Sequence, residues 1–338
     1  MSKNSLYKKC VINLIANAYA YIINISLYYL NKSKKKYYYN KWLGFGDSFI
    51  FYLKNYSKIC KKNHYALSFG LPTFKSINFF FSEKNIKNIF PVIPEKIYYR
   101  VVNKLTKYKN FKPQNFGTFS SQYQFNNSEY YKNLIITLLK KFKFKKELLE
   151  FANKKYLCLF IKHYNTNTND LSGSSTRQTA NLKPIQKIFS FLKKKKIMTI
   201  VLGTHTDKSI NIFKTFVKKK KLNKYVLFVK DISPNYCLKD QIFLAHNSIG
   251  YIGSTSGPAS LFYFLRKKML ILNCLKEPLI SHCQNKKNEN KFIRYLYKYM
   301  IRNKKKYIQV NNPMTCKSTI YEASFQEIKN KIVYFLLK

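Results

Sequence analysis

The sequence predicts an α/β protein of two domains, the second built on a parallel, doubly wound sheet. Three observations lead there. From residue 154 onward, short apolar runs alternate strictly with amphipathic helical stretches, the pattern of strands that return to one sheet through helices. A chain of 338 residues exceeds what one small core needs and fits two domains of ordinary size. Hydrophobic residues at 46% and aromatics at 17% supply far more burial than a disordered chain carries.

The N-terminal segment is read first. Residues 10–30 are 21 residues without a charge, flanked by Lys8, Lys9, Lys32 and Lys34, long enough to cross a bilayer. Asn13, Asn17, Asn24 and Asn31, however, fall on one helical face, opposite Leu14, Ile15, Ile22, Ile25 and Tyr29. One polar face, one apolar face and Lys at both ends describe a helix that lies in a membrane interface or packs on a core. A true span and a signal peptide cleaved near Ala16-Asn17-Ala18 are the alternatives, the latter with an apolar stretch too short for the role.

Beyond this segment, residues 1–36, a first α/β domain is expected over 37–150. A short β-prone run reaches Gly44-Phe45-Gly46-Asp47, a helical pattern follows through Phe49, Leu53 and Ile59, and "HYALSFG" reads as a strand. "EKIYYRVVNKLTKY" has helical length and spacing, residues 111–128 read as loop, and "NLIITLLKKFKF" is a helix ahead of a boundary near residue 150. The second domain, 151–338, begins with strand "KKYLCLFIKH" and a polar loop over 164–180. Helix "NLKPIQKIFSFLKKKK" tolerates Pro184 in its first turn. Strand "IMTIVLG", helix "KSINIFKTFVKKK", strand "KYVLFVK", helix "LKDQIFLAHN", strand "SIGYIGS", helix "PASLFYFLRKK" and strand "MLILNC" complete the alternation.

Charge and cysteines bound the function. With 63 Lys and Arg against 14 Asp and Glu, the formal net charge is +49, a field that attracts nucleic acid, anionic lipid or another polyanion. The excess is mostly Lys, it accompanies many Asn, Ile, Tyr and Phe, and its runs are dispersed, so codon bias on solvated faces accounts for much of it. The seven cysteines form no CxxC pair, which argues against a disulfide framework or a metal site and fits a reducing cytosol. The chain contains no GxxxxGK[ST] loop, no G-x-S-x-G elbow and no HExxH.

In open parallel sheets, ligands bind beyond the carboxyl ends of the strands, where strand order reverses. Three polar clusters fall at such ends: the loop after Lys162, then Gly203-Thr204-His205, then Ser254-Thr255-Ser256-Gly257 in "YIGSTSGPAS". The last opens a helix at Pro258, whose unpaired N–H groups and positive dipole end suit an anion, although Ser and Thr also serve as ordinary caps. His163 and His205 are the two histidines at this rim. "GFGDS" lacks the third glycine of a dinucleotide fingerprint, and Asp47 is either a helix N-cap or a catalytic carboxylate.

The run from "YLCLFIK" through "RQTANLKPIQKIFSFLKKKKIMTIVLGTH" to "DQIFLAHNSIGYIGSTSGPASLFYFLRKKMLILNC" resembles a group of bacterial GT-B glycosyltransferases, distantly like the heptosyltransferases and fucosyltransferases. The resemblance covers roughly residues 150–275, with "GFGD" as a faint match in the first domain. It implies two Rossmann-like domains and a donor diphosphate held by Arg177 and the Ser254–Gly257 loop, with Gly203 and Thr204 lining the pocket beside His205. Where the family pattern has His and Arg at the first strand end, this chain has Phe160 and Lys162; Lys162 still neutralises phosphate, but without the bidentate fork. Arg177-Gln178 stands in place of Arg-Asn.

The resemblance further implies a transferase without an obligatory metal or tightly bound cofactor, using a nucleotide sugar and a glycan or lipid-linked acceptor. Lys162 and Arg177 would stabilise the leaving group and Asp47 would serve as the base. Such an enzyme would be cytoplasmic and peripheral on the inner face of the cell membrane. The alternatives are a non-enzymatic basic α/β protein that binds nucleic acid or another polyanion, and a transferase fold that binds sugar nucleotides without turnover.

Overall fold

A computed structural model describes residues 3–39, 45–68, 79–81, 86–88, 95–111, 128–161, 182–203, 208–233, 238–254, 257–274, 292–297, 299–302, 305–307, 318–321 and 323–337. The chain divides into two compact units, Met1–Gly117 and Thr118–Lys338. Each carries a parallel sheet with helices, the α/β class expected.

The first unit contains α1 (Lys3–Lys32), β1 (Lys36–Tyr38), α2 (Phe45–Ile59), β2 (His64–Ser68), β3 (Ile86–Asn88) and α3 (Glu95–Leu105). Its three strands pair in parallel in the order β1-β2-β3. Tyr52 of α2 donates its hydroxyl to the Leu67 carbonyl of β2 at 3.1 Å. Helix α2 also builds an aromatic cluster, with Phe49 against Phe80 and Tyr52 edge-on to Phe81. Because α2 starts at Phe45, Asp47 lies inside its first turn instead of capping it.

Helix α1 runs 30 residues without glycine or proline, a length of about 45 Å at 1.5 Å per residue. Ala16, Ala20, Ile23 and Leu27 recur at helical spacing and are buried with Ile97, Val101 and Leu105 of α3. The asparagine face borders this contact. Arg100 Nη1 donates to Asn13 Oδ1 at 3.0 Å, Asn110 Nδ2 donates to Asn24 Oδ1 at 3.2 Å, and Asn31 Nδ2 donates to the Asn110 carbonyl at 3.2 Å. The face named apolar from sequence points the other way: Leu14 is 69% and Tyr29 68% exposed. The helix thus carries a buried stripe of small and aliphatic residues, bonded asparagines along its border and an exposed apolar face. Residues 1–36 are also part of the first unit's core, not a segment apart from it.

The second unit starts ahead of the boundary expected near residue 150. It includes α4 (Ser128–Leu139) and α5 (Lys146–Leu149), because Tyr131 packs edge-on against Phe264 and Glu129 pairs with Arg266. Its main elements are β4 (Tyr156–Phe160), α6 (Leu182–Lys194), β5 (Met198–Val201), α7 (Lys208–Lys219), β6 (Val226–Phe228), α8 (Val229–Ile232), α9 (Leu238–Asn247), β7 (Gly250–Gly253), α10 (Gly257–Phe264) and β8 (Lys268–Cys274). With β9 (Ile293–Tyr297) the strands form one sheet, order β6-β5-β4-β7-β8-β9, every neighbouring pair parallel.

Alternation along the strands sends side chains to opposite faces. Leu157, Leu159 and Ile161 join α6 and α7 in one core. On the other face, the Tyr156 hydroxyl donates to the Leu244 carbonyl of α9 at 2.7 Å, and Tyr251 lies against Phe262 of α10. Helices thus cover both faces, and the doubly wound reading holds. Beyond Cys274 no element is predicted from sequence. The structure adds β9, a small antiparallel sheet of β10 (Tyr299–Arg302), β11 (Lys305–Tyr307) and β12 (Ser318–Tyr321), and α11 (Phe325–Lys331). A capping box between Ser324 and Glu327 starts α11, and Ile328, with Ile332 just past its end, joins it to the α6–α7 core.

Candidate functional site at the strand-order reversal

From β4 the chain builds outward in two directions, to β5 and β6 on one side and to β7, β8 and β9 on the other. Strand order therefore reverses between β4 and β7. That is the position where an open parallel sheet leaves a crevice, since the helices on either side depart in opposite directions. The rim of this crevice is formed by Phe160-Ile161 and Gly253-Ser254, because Phe160 registers with Gly253.

The two strand ends are locked together. Ser254 N–H donates to the Phe160 carbonyl at 2.9 Å. The Tyr251 hydroxyl lies 2.8 Å from the Ser254 carbonyl and 3.3 Å from that of Phe160. Gly253 is required here: a Cβ would overlap the Phe160 carbonyl oxygen and the Tyr251 hydroxyl. On the β5 side, Gly203 has φ of 119°, a backbone conformation that costs any other residue strain. Ser209, buried in the first turn of α7, donates its hydroxyl to the Ile161 carbonyl at 2.8 Å and so fixes the end of β4. Tyr251 and Ser209 carry no sequence signal for this role; each is an ordinary strand or helix residue until the strands are paired.

The sequence-predicted residues divide as follows. Gly203, Ser254 and Gly257 stand at the carboxyl ends of β5 and β7, on the expected rim. Ser254 is buried at 1% exposure, with both backbone groups spent on the strand end. Helix α10 starts at Gly257 with Pro258 next, so its amino end lies on the rim by connectivity. Lys162, Arg177, Thr204, His205, Thr255 and Ser256, like His163, lie outside the described residues. Asp47 belongs to the first unit, in α2.

Four titratable groups with displaced pKa values gather away from this rim, toward the amino ends of β4 and β7. Burial raises the Tyr156 hydroxyl and raises the Cys158 thiol, the latter against the opposing pull of Ser248 and Lys267. Burial also lowers Lys267 and His246, with Lys267 adding to the effect on His246. Lys267 Nζ is held by the Ser248 carbonyl at 3.0 Å. A thiol raised in this way stays protonated at neutral pH and is inert. Among the described residues no three His, Cys, Asp or Glu side chains gather as a metal site would require. Among the described residues the rim brings together small residues, Gly203, Gly253 and Ser254, and the amino end of α10, the kind of place where an anion is favoured.

No family model and no curated protein sequence matches the chain. Solved structures similar to it include the ADP-heptose lps heptosyltransferase II of E. coli, at 9% identity over 96% of this chain and 80% of that one, TM-score 0.38. E. coli heptosyltransferase WaaC with ADP-2-deoxy-2-fluoro heptose aligns at 9% identity over 83% and 69%, TM-score 0.34. The UDP-GlcNAc 2-epimerase of Methanocaldococcus jannaschii aligns at 14% identity over 86% and 82%, TM-score 0.33. At these scores and identities the likeness says nothing of activity or substrate.

Proposed function

We propose that the protein is a glycosyltransferase of the GT-B type that takes a sugar from a nucleotide-sugar donor, with the donor diphosphate at the β4–β7 reversal. One observation carries this reading. The loop after β4 and the loop after β7, chosen from sequence for their residue types, leave from the two strands that flank the reversal. The first contains Lys162 and Arg177, and the second leads into α10. The sugar nucleotide, as opposed to another anion, comes from the motif resemblance over residues 150–275.

The proposed chemistry follows from charge. Breaking the bond between sugar and diphosphate leaves negative charge on the departing phosphate oxygens. Arg177, Lys162 and the amino end of α10 would stabilise that charge as it develops, without an obligatory metal. A carboxylate, with Asp47 as the candidate, would take the proton of the acceptor hydroxyl. The acceptor class proposed is a cell-surface glycan or lipid-linked sugar.

Thermal-shift titration against UDP-, GDP-, ADP- and CMP-sugars tests the reading. One nucleotide class should stabilise the protein, by about 2.7 kcal/mol at a concentration 100 times its Kd. Arg177→Ala should weaken that stabilisation markedly, and turnover should survive EDTA. If none of the four classes shifts the melting temperature, or Arg177→Ala titrates like wild type, the reading fails.

A further inference from the structure

We propose that the outward face of α1 docks on an anionic lipid bilayer, with the helix lying in the plane of the membrane surface while it stays packed on α3. The faces of α1 are inverted. A surface helix normally turns its apolar stripe inward and its polar stripe to water. Here the inward side uses small and aliphatic residues flanked by asparagines that hydrogen-bond to Arg100 and Asn110. The outward side presents Leu14, Tyr21, Ile22, Ile25, Tyr28 and Tyr29, each at least 38% exposed. Nine of the thirteen large hydrophobic side chains exposed among the described residues belong to this helix. Apolar exposure among the described residues is thus concentrated on one face, which marks an interaction surface.

Charge identifies the occupant. No charged residue occurs from Cys10 to Asn31, whereas Lys32, Lys34, Lys35 and Lys36 follow directly and are exposed. Lys32 sits over the Tyr28 ring at 4.3 Å, so the aromatic end of the face and its cationic flank are adjacent. Tyr and Lys at the edge of an apolar stripe are the residues that settle at the level of lipid headgroups. Residues 1–117 carry 21 Lys and Arg against 3 Asp and Glu, a balance that favours anionic lipid and opposes pairing with a second, equally basic copy.

Packing decides the orientation. Residues Cys10–Lys32 are long and apolar enough to cross a membrane. Crossing would require α1 to leave α3, or would carry Glu95, Lys96, Arg100 and Lys104 of α3 into hydrocarbon. Leaving would expose Val101 and Leu105 and strand Arg100 and Asn110 without their asparagine partners. The helix also supplies four of the eleven buried residues of that core, so it is built into the fold as a cleaved leader is not. In-plane docking leaves every one of these contacts intact.

The test is flotation of the full chain with vesicles of phosphatidylcholine alone and of equimolar phosphatidylcholine and phosphatidylglycerol. Wild type should float with the anionic vesicles, less so at high salt, and alkaline carbonate should release it. Leu14→Glu/Ile25→Glu, on the exposed face, should lower the partition coefficient at least about tenfold with an unchanged circular dichroism spectrum; Leu14→Ser/Tyr29→Ser, at the more exposed positions, is the milder pair should the first misfold. Absence of flotation, flotation unchanged in both variants, or resistance to carbonate would each overturn the proposal. A wild-type dimer that ignores vesicles and becomes monomeric in the variants would overturn it in favour of a second copy. None of these readouts depends on glycosyl transfer, so the proposal and the transferase reading stand or fall separately.

Discussion

Replacing Gly253 by alanine tests the geometry of the strand-order reversal directly. The added Cβ would overlap the Phe160 carbonyl oxygen and the Tyr251 hydroxyl. Neither neighbour yields easily. The carbonyl accepts from Ser254 N–H at 2.9 Å, and the Tyr251 ring is fully buried against Phe262, with centroids 4.8 Å apart. Overpacking of this kind costs about 1–3 kcal/mol. Retreat of β7 from β4 would instead forfeit the Ser254 amide and Tyr251 hydroxyl bonds, each worth about 1 kcal/mol. Either way the expected loss is about 1–3 kcal/mol. Urea unfolding followed by circular dichroism measures it, with hydrogen exchange over β4 and β7 to locate it. Adding Tyr251→Phe removes one of the two clashing groups, so the double variant should lose less than the sum of the singles. A Gly253→Ala protein within about 0.5 kcal/mol of wild type would refute the close approach of β7 to β4.

Two further outcomes follow from the same structure. Ser324→Ala breaks the capping box of α11 and should cost about 1 kcal/mol at neutral pH, read as a lower melting temperature. The Ser324 amide and hydroxyl hold the Glu327 carboxyl below the usual carboxylate range; their contribution is present above that range and is lost as pH falls through the lowered pKa, so the gap between wild type and variant should narrow in acid by the hydroxyl's share, while the cap from Glu327 N–H to the Ser324 hydroxyl remains. Cys10 and Cys60 are exposed and should react with a maleimide in the native protein, whereas Cys158, buried and with its thiol pushed up, should react only on unfolding. Native labelling of Cys158 at the rate of Cys60 would contradict the packing of β4.

The stretch from β4 to β8 was legible as sequence because each of its strands is a short apolar run that alternates with a helical stretch. "KKYLCLFIKH" contains β4, "LKDQIFLAHN" is α9 residue for residue, and Pro258 sits in the first turn of α10 where its missing N–H costs nothing. Periodicity is local, so a chain read in order reveals it. The boundary near residue 150 shows where such reading stops. Nothing in "NLIITLLKKFKF" says that Tyr131 will meet Phe264 or that Glu129 will meet Arg266, contacts separated by more than a hundred residues. The same holds for Asp47, expected at a helix start and found as the third residue of α2, since the helix begins earlier than its glycines suggest.

The candidate site was half legible. Small and hydroxylated residues at strand ends are visible in one dimension, and Gly203, Ser254 and Gly257 do stand on the rim. Which loops share a crevice depends on strand order, and strand order is settled by long-range pairing, not by any single segment. Only the order β6-β5-β4-β7-β8-β9 puts the loops after β4 and β7 side by side, and only that pairing gives Tyr251 and Ser209 their work of holding strand ends. For α1 the sequence determined that the helix has two unlike faces, because the asparagine spacing is a property of the helix itself. Tertiary structure decided which face is turned inward, because burial depends on the partner: α3 brings Arg100, and the Arg100 guanidinium and the Asn110 side chain meet amides where a purely apolar face would leave them unpaired.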